Sequence, residues 1–221
     1  MKKQSPKKKN KKLIIAVAAV LGLIVLGAAM HTMIFGRAAR LGSGRDIGFE
    51  LPAPIVDGGI LETINRRAST KAFDRNREID EQMLSEILWA AWGTNERGTR
   101  TIPTAGNRQN MEVFAIMEHG TFRYDGVNNR LIPVTDKDLR PLFATQVFVM
   151  DAPLTLLFTS TDANNGALHA GSSYQNVALY CVERGCGAVV RAWFNKGVVA
   201  DALEIDEEHI MTSMTVGWPE S

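Results

Sequence analysis

Residues 66–74 read RRASTKAFD, and what this run does decides what the rest of the chain can be. In an extended segment successive side chains point to opposite faces, so Arg67, Ser69 and Lys71 share one face. That face carries two cations and a hydroxyl, with no acid before Asp74. A guanidinium grips phosphate oxygens in a planar fork, an ammonium adds a point charge, and a serine adds one hydrogen bond. The same residues would serve as a solvated basic turn between two helices. Nine residues leave both readings open.

Upstream, the chain of 221 residues opens on MKKQSPKKKNKK, with seven lysines and no acid, followed by the uncharged apolar run Leu13–Met30 of 18 residues. A membrane span needs ~17–25 apolar residues, whereas the core of a secretory signal is usually ~7–15. The expected organisation is a basic cytoplasmic tail at 1–12, a transmembrane anchor or signal segment at 13–35 with the uncleaved anchor favoured, and a Gly/Pro-punctuated linker at 36–58. Seven lysines before the span outnumber Arg37, Arg40 and Arg45 behind it. The rest of the chain is therefore expected outside the cytoplasm, on the periplasmic or extracellular side.

Charge is divided in the same way. Residues 1–45 contribute +10, which leaves 15 basic against 24 acidic residues, a net −9, for the remainder. So acidic a domain is a poor nucleic-acid binder, because duplex binding rests on neutralising phosphates. Residues 59–221 suffice for one domain with a sizeable core. The two cysteines, Cys181 and Cys186, stand five apart rather than in a Cys-x-x-Cys pair. They read as packing residues at a helix end, not as a metal or redox motif. His31, His119, His169 and His209 are scattered, so no metal site is expected, and neither a Gly-x-Ser-x-Gly elbow nor a Gly-x-Gly-x-x-Gly fingerprint is present.

Downstream the periodicities alternate between helical and extended. Asp57 can cap a helix over GGILETINRR. Asp80 can cap REIDEQMLSEILWAAWG, with Ile79 and Leu84 as a hydrophobic staple and Gly93 as its end. MEVFAIME alternates as a strand, and HGTFRYDGVNNRLIPV reads as a hairpin. DKDLRPLFATQVFVM suggests a helix capped by Asp136, and APLTLLFTST a buried strand. A helix over LHAGSSYQNVALYCVERG, a short strand, a short helix and the final strand HIMTSMTVGWP follow. The mixture without strict alternation predicts an α+β fold with a central, mainly antiparallel sheet surrounded by helices.

Two small-residue patches stand out. IPTAGNRQN sets Pro103, Thr104, Ala105 and Gly106 before Asn107 and Gln109. RGCGAVV sets glycines just after a helix end. Small side chains let a flat ring approach the backbone, and amides can both donate to and accept from a heteroaromatic edge. Each patch alone is also an ordinary turn.

Taken in order, five motifs resemble the flavin-dependent nitroreductases, most closely their SagB-type and thiazoline-oxidase-like branch: RRASTKAFD, LSEILWAAWGTN, RTIPTAGNRQNMEVF, HAGSSYQNVALYCVERGCGAVV and TVGWP. The resemblance covers about Leu61 to Pro219. It implies a homodimeric α+β domain that binds FMN. Arg67 and Lys71 would hold the phosphate or ribityl side, with Ser69 as hydroxyl donor and Ala68 helping through its backbone. Pro103, Thr104 and Ala105 would line the isoalloxazine, a loop the family usually delivers from the partner subunit, with Asn107 and Gln109 nearby. Gln146 would face the pyrimidine edge, and Gly187, Ala188 and Val189 would bring backbone N–H groups to the reactive edge.

The chain departs from the family in stopping at Ser221, without the basic residue that often follows the terminal motif. Arg66 and Arg191 are the candidate substitutes. The implied function is an FMN-dependent oxidoreductase acting on a small organic acceptor, with NAD(P)H as one electron donor the resemblance admits. The alternatives are a dehydrogenase acting on a peptide azoline and a non-catalytic, membrane-anchored flavin-fold binding module. No catalytic side chain is implied, since the flavin carries the hydride chemistry.

Overall fold

The structure, a computed structural model, describes residues 51–220. The basic tail and the apolar segment 13–35 lie outside them, as does much of the linker. Among the described residues no helix is long and apolar enough to cross a membrane.

Six strands form one sheet in the order β3-β2-β1-β4-β6-β5. They are β1 Met111–Met117, β2 Gly120–Asp125, β3 Arg130–Thr135, β4 Leu154–Ser160, β5 Gly187–Arg191 and β6 Ile210–Gly217. Every neighbouring pair is antiparallel. The expected α+β architecture is the one found.

Strand side chains alternate between the two faces. Val113, Ala115, Leu154, Leu156, Phe158, Met214 and Val216 form one core with the helices α2 Glu81–Trp92 and α3 Gly166–Arg184. Phe114, Ile116, Leu157 and Ile210 form the other, with α4 Lys196–Leu203 and the turns around Phe143 and Val149. Strand β4 is buried along its whole length, which is why APLTLLFTST carries no charged residue. Each of these large side chains contributes ~1.5–3 kcal/mol when fully buried.

Helix α2 begins where expected, with the Asp80 carboxylate accepting the Met83 N–H at 2.7 Å. Helix α1, Gly59–Arg66, does not. Its N-cap is Gly58, whose φ of 76° suits glycine, and no side chain caps it, so Asp57 is not the cap. The helix expected over DKDLRPLFATQVFVM is also absent. Two short 3-10 turns, Arg140–Phe143 and Val147–Asp151, take its place. The cause is local. Asp138 accepts the Arg140 backbone N–H at 2.9 Å and its guanidinium at 2.8 Å, and Arg140 also reaches the Ala152 carbonyl at 3.3 Å. Side-chain bonds of this kind compete with the helical ladder.

Candidate functional site

The RRASTKAFD run leaves α1 as an extended segment laid against the edge strand β5 and the end of β6. The Thr70 N–H donates to the Ala188 carbonyl at 3.1 Å, the Asp74 N–H to the Trp218 carbonyl at 2.9 Å, and the Glu220 N–H to the Ala72 carbonyl at 3.1 Å. Phe73 bridges to Pro219 and is buried with Ala152 and Val189. Thr70 explains why Gly187 has no side chain, because a Cβ there would lie 2.4 Å from the Thr70 hydroxyl oxygen. Two of the patches singled out in the sequence thus meet at one place. Ser69 and Lys71 are exposed and Arg67 half-buried.

Gln146 joins the same place through a residue the motifs did not mark for it. Arg191, on β5, is only 4% exposed. It donates to the Gln146 side-chain oxygen at 3.1 Å, the Phe143 carbonyl at 2.6 Å, the Thr145 hydroxyl at 2.7 Å and the Trp193 carbonyl at 3.2 Å. Burial pulls its pKa below the usual guanidinium range. With four hydrogen bonds inside the fold, Arg191 is not free to serve as a phosphate cation, as the sequence suggested. It orients Gln146 instead. Arg66 sits 3.7 Å from Glu62 on the exposed face of α1.

The loop at 103–109 lies elsewhere. Ala105–Asn107 form a single 3-10 turn in which Gly106 and Asn107 take the left-handed conformation, at φ 60° and 54°. Pro103, Ala105, Asn107 and Gln109 are exposed and Thr104 is half-buried. The Ala105 N–H donates to His169 Nε2 at 3.1 Å, and Asn107 Oδ1 accepts from Gln109 at 3.5 Å. Arg108 reaches to 3.9 Å from Asp162. That carboxylate accepts the Asn165 side-chain amide and the backbone N–H groups of Asn164 and Asn165, which hold its pKa down at about 2. His169 and Asp162 were not among the predicted site residues. The only available signal was their placement around the start of a long helix.

Helix α3 separates the two patches. His169 lies in its first turn, whereas Gly185 ends it and Gly187 follows. Sixteen residues at 1.5 Å each put those ends ~24 Å apart. Within one chain the structure therefore brings together Arg67, Ala68, Ser69, Lys71, Gln146, Gly187, Ala188 and Val189. It sets Pro103, Thr104, Ala105, Asn107 and Gln109 at the far end of α3.

This fold defines a class of protein, the nitroreductase-like α+β oxidoreductases. The chain belongs to the nitroreductase family, which its residues 64–218 match. A crystal structure of a Ralstonia eutropha JMP134 protein classed as a nitroreductase is similar, with a TM-score of 0.68 at 33% identity over 77% of this chain and 89% of that one. A Methanocaldococcus jannaschii protein of the same class is 26% identical over 156 residues, covering 61% of this chain and 78% of its own. At the level of fold alone, the chain also resembles a Desulfovibrio desulfuricans nitroreductase solved in complex with FMN. There the TM-score is 0.57 at 16% identity, over 75% of this chain and 88% of that one.

Proposed function

We propose that this protein is an FMN-dependent oxidoreductase that works as a homodimer, each subunit holding one flavin at its β5 edge and covering its partner's with the 103–109 loop. The observation that carries the reading is the junction of RRASTKAFD with Gly187 through Thr70. It sets two cations and a hydroxyl beside glycine-rich backbone, and the donor set fits the phosphate of a mononucleotide. Arg67, Ser69 and Lys71 would hold that phosphate. Gln146, fixed by Arg191, would meet the polar edge of the ring system. When bound, the flavin supplies the hydride chemistry.

The length of α3 supports the dimer. A loop held ~24 Å along a rigid helix from the glycine turn is better placed to cover a flavin in another subunit than its own. Helix α1 presents Ile60, Leu61 and Ile64 at 61%, 47% and 50% exposure, an apolar face suited to cover by a second copy.

Residues 46–221 expressed without the N-terminal segment should copurify with FMN, as a yellow protein of dimeric mass. Release of FAD, or of no flavin at all, sinks the proposal and favours a binding module. Steady-state assays with NADH or NADPH and a nitroaromatic, beside a thiazoline peptide, separate the acceptor-reducing enzyme from the azoline dehydrogenase. The Leu13–Met30 run supports anchorage with the catalytic domain outside the cytoplasm, and a C-terminal reporter active only in the cytoplasm would contradict that placement.

A further inference from the structure

We propose that Cys181 and Cys186 form a redox-active dithiol that closes to a disulfide across the C-terminal end of α3, with a small-molecule or protein disulfide as oxidant. Their spacing suggests only packing, but the fold places them against each other. Gly185 ends α3 in the left-handed conformation, φ 74° and ψ 12°. A turn of this kind brings the residue after the glycine back onto the residue four before it, and here those are Cys186 and Cys181. Both belong to one buried cluster, and each perturbs the other's ionisation. Both are reduced, and they are 2% and 7% exposed. Any pair of small apolar residues would fill this turn, whereas only two thiols can be joined there. The proposal stands on this geometry and does not depend on the flavin.

The two sulfurs are not equivalent. The neighbouring Cys181 thiol, together with the nearby Arg184 charge, favours the Cys186 thiolate. The Cys186 neighbour, with burial, holds Cys181 protonated. Cys186 is therefore the attacking sulfur, since the thiolate is the nucleophile. It displaces one thiolate from the oxidant's disulfide, and that leaving group takes up a proton. Cys181 then loses its proton and attacks the Cys186 sulfur, expelling the oxidant's second half as a thiol. Two protein thiols are oxidised and one external disulfide is reduced to two thiols. Glu183, Arg184 and Gly185 are exposed, so the turn is what an oxidant meets first. The bond would fasten α3 to the start of β5, one residue ahead of the Gly187–Val189 run and the Ala188 carbonyl that holds Thr70.

The test uses the purified protein, incubated natively with oxidised glutathione, quenched in acid, unfolded, alkylated with N-ethylmaleimide and digested with trypsin, which cuts between the cysteines after Arg184. The expected result is loss of both alkylation sites. The peptide ending at Arg184 should be linked to the one beginning at Gly185, and dithiothreitol should separate them. Two fully alkylated cysteines, or glutathione carried as a final adduct, would overturn the proposal. Cys181→Ser should leave Cys186 with a stable glutathione adduct, while Cys186→Ser should leave Cys181 alkylatable. The reverse pattern would overturn the assignment of the attacking sulfur.

Discussion

The two ends of α3 are built on opposite plans. At its C-terminal end the opening segment, β5 and the Gln146 turn are tied together by buried groups. Thr70 fills the space over Gly187, Arg191 donates four hydrogen bonds, and Phe73 is sealed under Val189. At its N-terminal end the 103–109 loop is mostly exposed. It is held by one hydrogen bond to His169 and a long ion pair to Asp162. Groups already satisfied within the chain need no partner. The exposed turn at Gly106 and Asn107 makes few contacts within its own chain. On the proposed function, the rigid end would bind the cofactor and the loose end would cover one in a partner.

The sharpest way to break this comparison is at Gly187. Gly187→Ala sets a Cβ 2.4 Å from the Thr70 hydroxyl. Overpacking of ~3 kcal/mol would lower FMN affinity about a hundredfold. Thr70→Gly on the same background should restore most of it. Fluorescence titration of the apoprotein reads both variants, and unchanged affinity in Gly187→Ala would show that the junction does not shape the site.

Next in size is Arg67→Ala. Hydrogen bonds to charged groups contribute roughly 1.5–3 kcal/mol, so FMN binding should weaken ~ten- to a hundredfold. Lys71→Ala should cost less, because an ammonium has no bidentate grip. Arg130→Ala is the control. Its guanidinium pairs with Asp125 at 3.2 Å in the β2–β3 hairpin, and binding should not change. Arg67→Ala binding as tightly as the control would return RRASTKAFD to a solvated turn.

The smallest effect belongs to the loose end. The folded Asp162 carboxyl titrates at about 2, below its unfolded value of roughly 3.9. Its contribution to stability is therefore full above about pH 4 and is lost as pH falls through about 2. Asp162→Asn should lower the melting temperature slightly at neutral pH and flatten the fall in stability between about pH 4 and 2. FMN affinity at neutral pH should stay within about twofold of wild type, because Asp162 reaches the 103–109 loop only through the 3.9 Å pair with Arg108, and such a long pair contributes little. An acid profile unchanged from wild type would remove Asp162 from the account of this end.

Much of the molecule is legible in its sequence. Strong periodicities located α2, α3, β1, β4 and β6, because burying one face demands a pattern that sequence must carry. The failures came where local chemistry overrode the pattern. Asp138 and Arg140 turned an expected helix into two short 3-10 turns, and Gly58 took the cap expected of Asp57. In the site, the motifs marked Arg67, Lys71 and Gly187, and the family resemblance added Gln146. They could not mark Thr70, whose role exists only because Gly187 lies under it, nor His169, which looks like any polar residue on a helix.

What the sequence determined by itself was composition along one dimension. It set the acidic domain behind a basic, apolar start, the order of the motifs, and the residue types able to hold a phosphate or admit a flat ring. Only the tertiary structure decided which of them meet. It put RRASTKAFD against Gly187, committed Arg191 to Gln146, folded Cys186 back onto Cys181, and held the 103–109 loop the length of α3 away. The reason is geometric. A helix converts sequence separation into a rigid distance, a left-handed turn cancels separation altogether, and a sheet joins strands far apart in the chain, none of which a motif's spacing records.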